Sequence, residues 1–182
     1  MEVELEVKLL YMDTERLQRQ LEQKGAKKLG EEHQVNIRLD SSRHPIDPNH
    51  GYLRIRSVHS INGDEYHELT FKKQQSKEGL RNNIEYTVSI DHPKNALAIF
   101  ENLGYDLQDR GKKHRISYIY QDARFDFDRW DDNTYPYPYV EIEVSHMEQL
   151  DMLLEEFSIS KTHISTKSIA ELKEEWKNKN IL

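Results

Sequence analysis

The chain has 182 residues, 36% of them hydrophobic, and a formal net charge of −7. That length can fill one hydrophobic core, so a single domain over residues 1–182 is expected, while the negative balance argues against a general nucleic-acid-binding role, which needs a basic footprint. The lack of cysteine excludes disulfides and thiolate metal sites; the charged N-terminus reads as neither signal peptide nor membrane span, so a cytoplasmic location with no membrane partner is expected.

The first element is the run Val3-Glu4-Leu5-Glu6-Val7-Lys8-Leu9. Strand side chains repeat with period two, so Val3, Leu5, Val7 and Leu9 share one face, and Glu2, Glu4, Glu6 and Lys8 the other. Asp13 can then cap a helix through Leu17 and Leu21 to Lys24, with Gly25 at its end. Alternation returns from Gln34 to Asp40, where Val35, Ile37 and Leu39 oppose Asn36, Arg38 and Asp40. Ser41 to His50, with two prolines, reads as a loop. From Tyr52 to Arg56, Leu53 and Ile55 oppose Arg54 and Arg56, and from Tyr66 to Lys73, Leu69 and Phe71 oppose Glu68, Thr70 and Lys72. Asn62-Gly63-Asp64 predicts a hairpin between them. Arg81 to Ile90 sets Ile84, Tyr86 and Val88 against Arg81, Asn83, Glu85 and Thr87. Pro93, the apolar set Leu97 to Leu103, and Gly104 describe a second helix. Three further strands follow: Lys113 and Arg115 oppose Ile116, Tyr118 and Tyr120; Asp126 and Asp128 oppose Phe125 and Phe127; Glu141 and Glu143 oppose Val140, Ile142 and Val144. Helical patterns close the chain around Leu150 to Leu154 and from Ser168, where Ser168 and Glu171 fit a capping box.

Every candidate strand therefore has a charged or polar face carrying both signs. Periodicity does not say whether those faces meet water, where such pairs contribute little. The amphipathic helices need an apolar surface to cover, and the opposite strand faces supply it if they point outward from a closed barrel. The charges are then enclosed, which is costly unless they pair or bind ligands. Basic residues supply donors for phosphate, and carboxylates suit hard cations such as Mg²⁺ or Mn²⁺. Together they describe a site for a metal polyphosphate.

Glu4-x-Glu6-x-Lys8, Leu53-Arg54-Ile55-Arg56, Leu69-Thr70-Phe71-Lys72, Arg81 with Glu85, Lys113-x-Arg115, Asp128-x-Trp130 and Glu141-Ile142-Glu143 stand in one order along the chain. In this the sequence resembles the CYTH superfamily, the triphosphate tunnel metalloenzymes, from Glu2 to about Leu172. That group takes in class IV adenylyl cyclases, thiamine triphosphatases and inorganic tripolyphosphatases. The resemblance implies an α+β fold, an eight-stranded antiparallel β-tunnel with a charged interior covered by helices. It implies that Lys8, Arg54, Arg56, Lys72, Arg81, Lys113 and Arg115 bind the triphosphate, and that Glu4, Glu6, Asp128, Glu141 and Glu143 hold or orient Mg²⁺ or Mn²⁺. Glu4, Glu6, Lys8, Lys72 and Glu85 form the implied catalytic set. Asn83 departs from the pattern, since many members carry a further Glu there.

The implied partner is a small triphosphate, inorganic or carried by a nucleoside or thiamine, and a homodimer is left open. Phosphoanhydride hydrolysis is the simplest activity. Adenylyl cyclase chemistry on ATP uses the same site, and a non-catalytic polyphosphate- or nucleotide-binding module is a third reading, against which the retained carboxylate pairs argue. The nine histidines show no metal-ligand spacing, and His114 alternates away from Lys113 and Arg115. Trp130, Tyr137 and Tyr139 read either as packing or as stacking partners for a base or thiamine ring. No Gly-rich phosphate loop is present, so side chains must recognise phosphate.

Overall fold

Runs with a two-residue period become strands in the computed structural model, which describes residues 2–76 and 81–179, leaving aside the side chains of residues 2–4, 76, 81 and 179. In chain order the elements are β1 (Glu2–Leu9), α1 (Thr14–Gln23), β2 (Lys27–Asp40), β3 (Gly51–Ser60), β4 (Glu65–Ser76), β5 (Arg81–Ser89), α2 (Pro93–Asn102), β6 (Leu107–Tyr120), β7 (Ala123–Trp130), β8 (Tyr139–Val144), α3 (Met147–Glu156), β9 (Ile164–Ser165) and α4 (Ile169–Lys179). The helix ends follow from local chemistry. The Asp13 carboxylate accepts from the Arg16 amide at 2.9 Å, and Gly25 takes a φ of +84° after α1. Ser168 and Glu171 bond reciprocally, amide to carboxylate at 2.7 Å and amide to hydroxyl at 3.2 Å, as a capping box does.

The strands are antiparallel in the order β5-β4-β3-β2-β6-β7-β8-β1-β9, and β5 also pairs with β1, so eight of them close into a barrel. The ninth strand bonds β1 at Lys8 and Leu9, beyond the reach of β5. The charged strand faces turn inward. The apolar faces turn outward under the helices: Leu17 and Leu21 of α1 and Leu150, Leu153 and Leu154 of α3 pack on Val7, Leu9, Phe125, Val140 and Ile142. Leu97 and Phe100 of α2 pack on Ile37, Leu39, Leu53 and Ile55. Leu172 and Trp176 of α4 join Leu10, Tyr135 and Tyr139. Burying each such aliphatic side chain contributes about 1.5–3 kcal/mol, so this outer layer keeps the polar interior closed.

Strands run longer than the sequence reading had them, β3 on to Ser60 and β6 from Leu107, and two differ in kind. β2 begins at Lys27, seven residues before alternation is visible, and its register with β6 shifts between Lys28 and Gly30. β9 was not anticipated; its two residues are too few to show a period.

Candidate active site

The cross-strand register aligns the inward residues. Glu6 lies opposite Glu143 and Lys8 opposite Glu141, Asn36 opposite Arg56 and Arg38 opposite Arg54, Lys72 opposite Glu85, and Arg115 opposite Asp128. These side chains line a cavity of about 180 Å³, except that Asp128 lies just behind its wall. Cations outnumber carboxylates in the lining, although the whole chain is acidic.

The ion pairs within it differ in tightness. Asp128, whose side chain is fully buried, accepts from Lys113 Nζ at 2.9 Å and from Arg115 Nε and Nη2 at 2.6 Å. Arg115 also reaches Asp126 at 2.5 Å and Glu141 at 2.6 Å. Burial works against the Arg115 charge, but Asp128 and Asp126 outweigh it and hold its pKa well above the ordinary guanidinium value. Burial also opposes ionisation of Glu141; Lys8 at 3.0 Å and Arg115 overcome it and keep that carboxyl well below its usual range. Glu85 is likewise buried, yet Lys72 at 2.8 Å and Arg54 hold its pKa down. Glu6 stands 3.9 Å from Lys8, 3.8 Å from Lys72 and 3.4 Å from the Asn83 amide.

Burial and crowding among cations work the other way on two of the basic side chains. Burial and the neighbouring Arg54 and Arg115 push the Arg56 pKa down to about 10. Burial and Arg115 lower Lys113 to about 8 despite Asp128. Arg56 Nε donates to Asn36 at 3.1 Å, whereas Arg54 Nε is buried and finds no acceptor among the described residues. A buried donor without a partner costs on the order of 1–3 kcal/mol, which a phosphate oxygen would recover.

The site therefore brings together Glu6, Lys8, Arg54, Arg56, Lys72, Glu85, Lys113, Arg115, Glu141 and Glu143, all foreseen from sequence, with Asp128 behind Lys113 and Arg115. Glu4 and Arg81 occupy inward register positions, opposite Asn83 and Glu6, but their side chains lie outside those described. Alternation missed Asp109, Arg110, Gly111 and Thr134, and it missed Ser168, Ile169, Ala170 and Lys173, by which α4 covers one mouth. Lys173 is fixed there by Asp109 at 2.9 Å. A longer reading of the β6 alternation, upstream from Lys113, would have found Asp109. Of the three aromatics considered, Trp130 and Tyr139 line the cavity and Tyr137 does not.

Among the described residues no three His, Asp or Glu side chains form a ready-made metal site. The donor chemistry nevertheless fits a hard divalent ion. Glu6 and Glu143 stand directly opposite each other on one sheet face and Glu4 holds a register position on the Glu6 face, so carboxylate oxygens, the donors a hard ion prefers, are grouped there.

A family model described as CYTH domain matches residues 2–171. A search of curated protein sequences finds no match. Among solved structures, the PH1012 protein of Pyrococcus horikoshii OT3 is similar with a TM-score of 0.76 at 23% identity, covering 93% of this chain and 98% of its own. The PH1819 protein of the same organism has a TM-score of 0.78 at 21% identity, covering 94% and 98%. An adenylyl cyclase candidate from Hippeastrum, described as having a dominant triphosphatase activity, has a TM-score of 0.66 at 18% identity, covering 92% and 91%.

Proposed function

The chain belongs to the CYTH family, and on that footing we propose that it is a divalent-metal-dependent enzyme that hydrolyses the terminal phosphoanhydride of a triphosphate. The observation that carries this reading is the cation-rich tunnel, in which the buried Arg54 Nε–H has no acceptor among the described residues. Arg54, Arg56, Lys72, Lys113 and Arg115, with Lys8 and Arg81, neutralise and align the polyanion. Planar guanidinium forks donate to two phosphate oxygens at once. Asp128 acts behind them: with its oxygens already taken by Lys113 and Arg115, it fixes where those cations point. Glu85 does the same for Lys72.

Glu4, Glu6, Glu141 and Glu143 would hold Mg²⁺ or Mn²⁺. Bound there, the ion polarises phosphoryl oxygens and orients water for in-line attack. The barrel wall and α4 keep bulk water from the aligned anhydride.

Within the triphosphate class, the lining favours inorganic tripolyphosphate, because its aromatic rings are already engaged. Lys113 sits 5.3 Å above Trp130, Arg38 sits 5.3 Å above Tyr52, and Tyr139 is buried. A panel of tripolyphosphate, ATP and thiamine triphosphate, each with Mg²⁺ and with Mn²⁺, tests the proposal. The expected products are phosphate and diphosphate from tripolyphosphate. Cyclic AMP with diphosphate from ATP would assign the tunnel to cyclase chemistry, and no metal-dependent turnover on any substrate would leave only a binding module.

A further inference from the structure

Tyr139 enters the tunnel from β8 with 1% of its surface exposed, and its hydroxyl accepts a hydrogen bond from Trp130 Nε1 at 2.8 Å. A phenolic O–H prefers the ring plane and has two orientations there. The indole N–H occupies one side, so the hydroxyl proton turns to the other. Among the described residues nothing accepts it. No hydrogen bond joins it to Asp128, its register partner on β7, whose oxygens accept from Lys113 and Arg115, or to Glu141, two residues along β8, whose oxygens accept from Lys8 and Arg115. The protein thus holds a neutral donor in place and provides no acceptor for it.

We infer that the Tyr139 hydroxyl donates to a phosphate oxygen of the bound triphosphate and is a substrate-positioning donor of this site. The inference rests on the triphosphate reading above. A neutral donor differs from the surrounding cations in two respects: it adds no charge to an interior already rich in positive charge, and its direction is fixed by Trp130 instead of by a flexible stem. It therefore selects one rotational setting of the phosphate it contacts, where an ammonium accepts many.

The test uses calorimetric binding of tripolyphosphate in the presence of EDTA, so that the readout does not depend on metal or turnover, together with kcat and KM under Mg²⁺. Tyr139→Phe should weaken metal-free binding about tenfold, the effect of one hydrogen bond to a charged acceptor, while the protein stays folded with a melting temperature lowered by the loss of the Trp130 acceptor alone. Trp130→Phe, which removes the indole N–H and leaves the hydroxyl, should cost less than that. If Tyr139 serves only to hold Trp130, the two variants will instead lose stability together and bind alike. The double variant Trp130→Phe/Tyr139→Phe orphans neither polar atom, so the binding loss should persist in it even if Tyr139→Phe alone folds poorly. Equal affinity of wild type and both Tyr139 variants overturns the inference and leaves the triphosphate reading standing. Failure of the wild type to bind or turn over tripolyphosphate, in EDTA and under Mg²⁺ alike, overturns both.

Discussion

Replacing Arg56 by lysine preserves one positive charge and removes a planar fork. In the structure that fork donates Nε to Asn36 at 3.1 Å and stands 4.0 Å from Glu68, among Arg54 and Arg115. Lysine reaches neither Asn36 in that geometry nor two phosphate oxygens together, so the loss is that of a charge-assisted hydrogen bond, about 1–3 kcal/mol, or roughly tenfold to a hundredfold in kcat/KM. The electrostatics add a second signature. Burial and the adjacent cations bring the Arg56 guanidinium down to about 10, still protonated at neutral pH. An ammonium in that place starts about two units lower and titrates near Lys113, which the same tunnel holds at about 8. Arg56→Lys should therefore lose kcat/KM more steeply than the wild type between about pH 8 and 9. Steady-state kinetics on tripolyphosphate and ATP across that range, with a thermal melt to confirm folding, measure both effects. Wild-type kcat/KM and pH profile in Arg56→Lys would refute the assignment of Arg56 to phosphate, since a solvated arginine tolerates this change.

Glu143→Gln keeps size and removes one of two opposed carboxylates; we expect a folded protein that loses nearly all metal-dependent turnover, so unchanged activity at saturating Mg²⁺ would remove Glu143 from the metal set. Asp128→Asn leaves Lys113 and Arg115 buried without their counter-ion, a loss of about 3–5 kcal/mol that should appear as a fall of roughly 10 °C in Tm; a melt within a degree of the wild type would contradict it. For the wild-type enzyme, kcat/KM should decline above about pH 8 as Lys113 releases its proton. Stability should move the other way: between about 8 and the unfolded value near 10.4 the unfolded chain binds more protons at this lysine, so its contribution to folding free energy rises with pH. A Lys113→Met variant that keeps the wild-type pH profile would sever that link.

The strands of the site were legible because each of them alternates, and Glu4-x-Glu6-x-Lys8 or Arg54-x-Arg56 states its own face. Which way the faces point is a property of closure, and it was reached through the helices, whose apolar stripes needed a covering partner. What stayed hidden depends on register. Asp126 and Asp128 look equivalent in sequence, yet pairing sets Asp128 opposite Arg115 and Asp126 opposite Ser117, so the two carboxylates have different neighbours. The first half of β2 was missed because Lys27 to His33 does not alternate and contains the irregularity at Gly30. The capping box at Ser168 announced α4 but could not show that its first turn would cover the tunnel mouth, a placement decided by the cluster of Leu10, Tyr135, Tyr139 and Leu172.

The pairing of β1 with both β5 and β8 has a consequence for how the site comes into being. β1 precedes the other strands and its two barrel neighbours lie far along the chain, so these contacts close large loops and belong to the slow class of topologies. With seven strands paired and β1 still outside, there is no cavity, the carboxylates of β8 face water, and two open edges at β5 and β8 are available to other chains. Insertion of one strand abolishes both edges and completes the tunnel in the same step. Polyanion affinity should thus appear during refolding only when β1 docks, with no partial site beforehand, and protection from self-association should be acquired at that same moment.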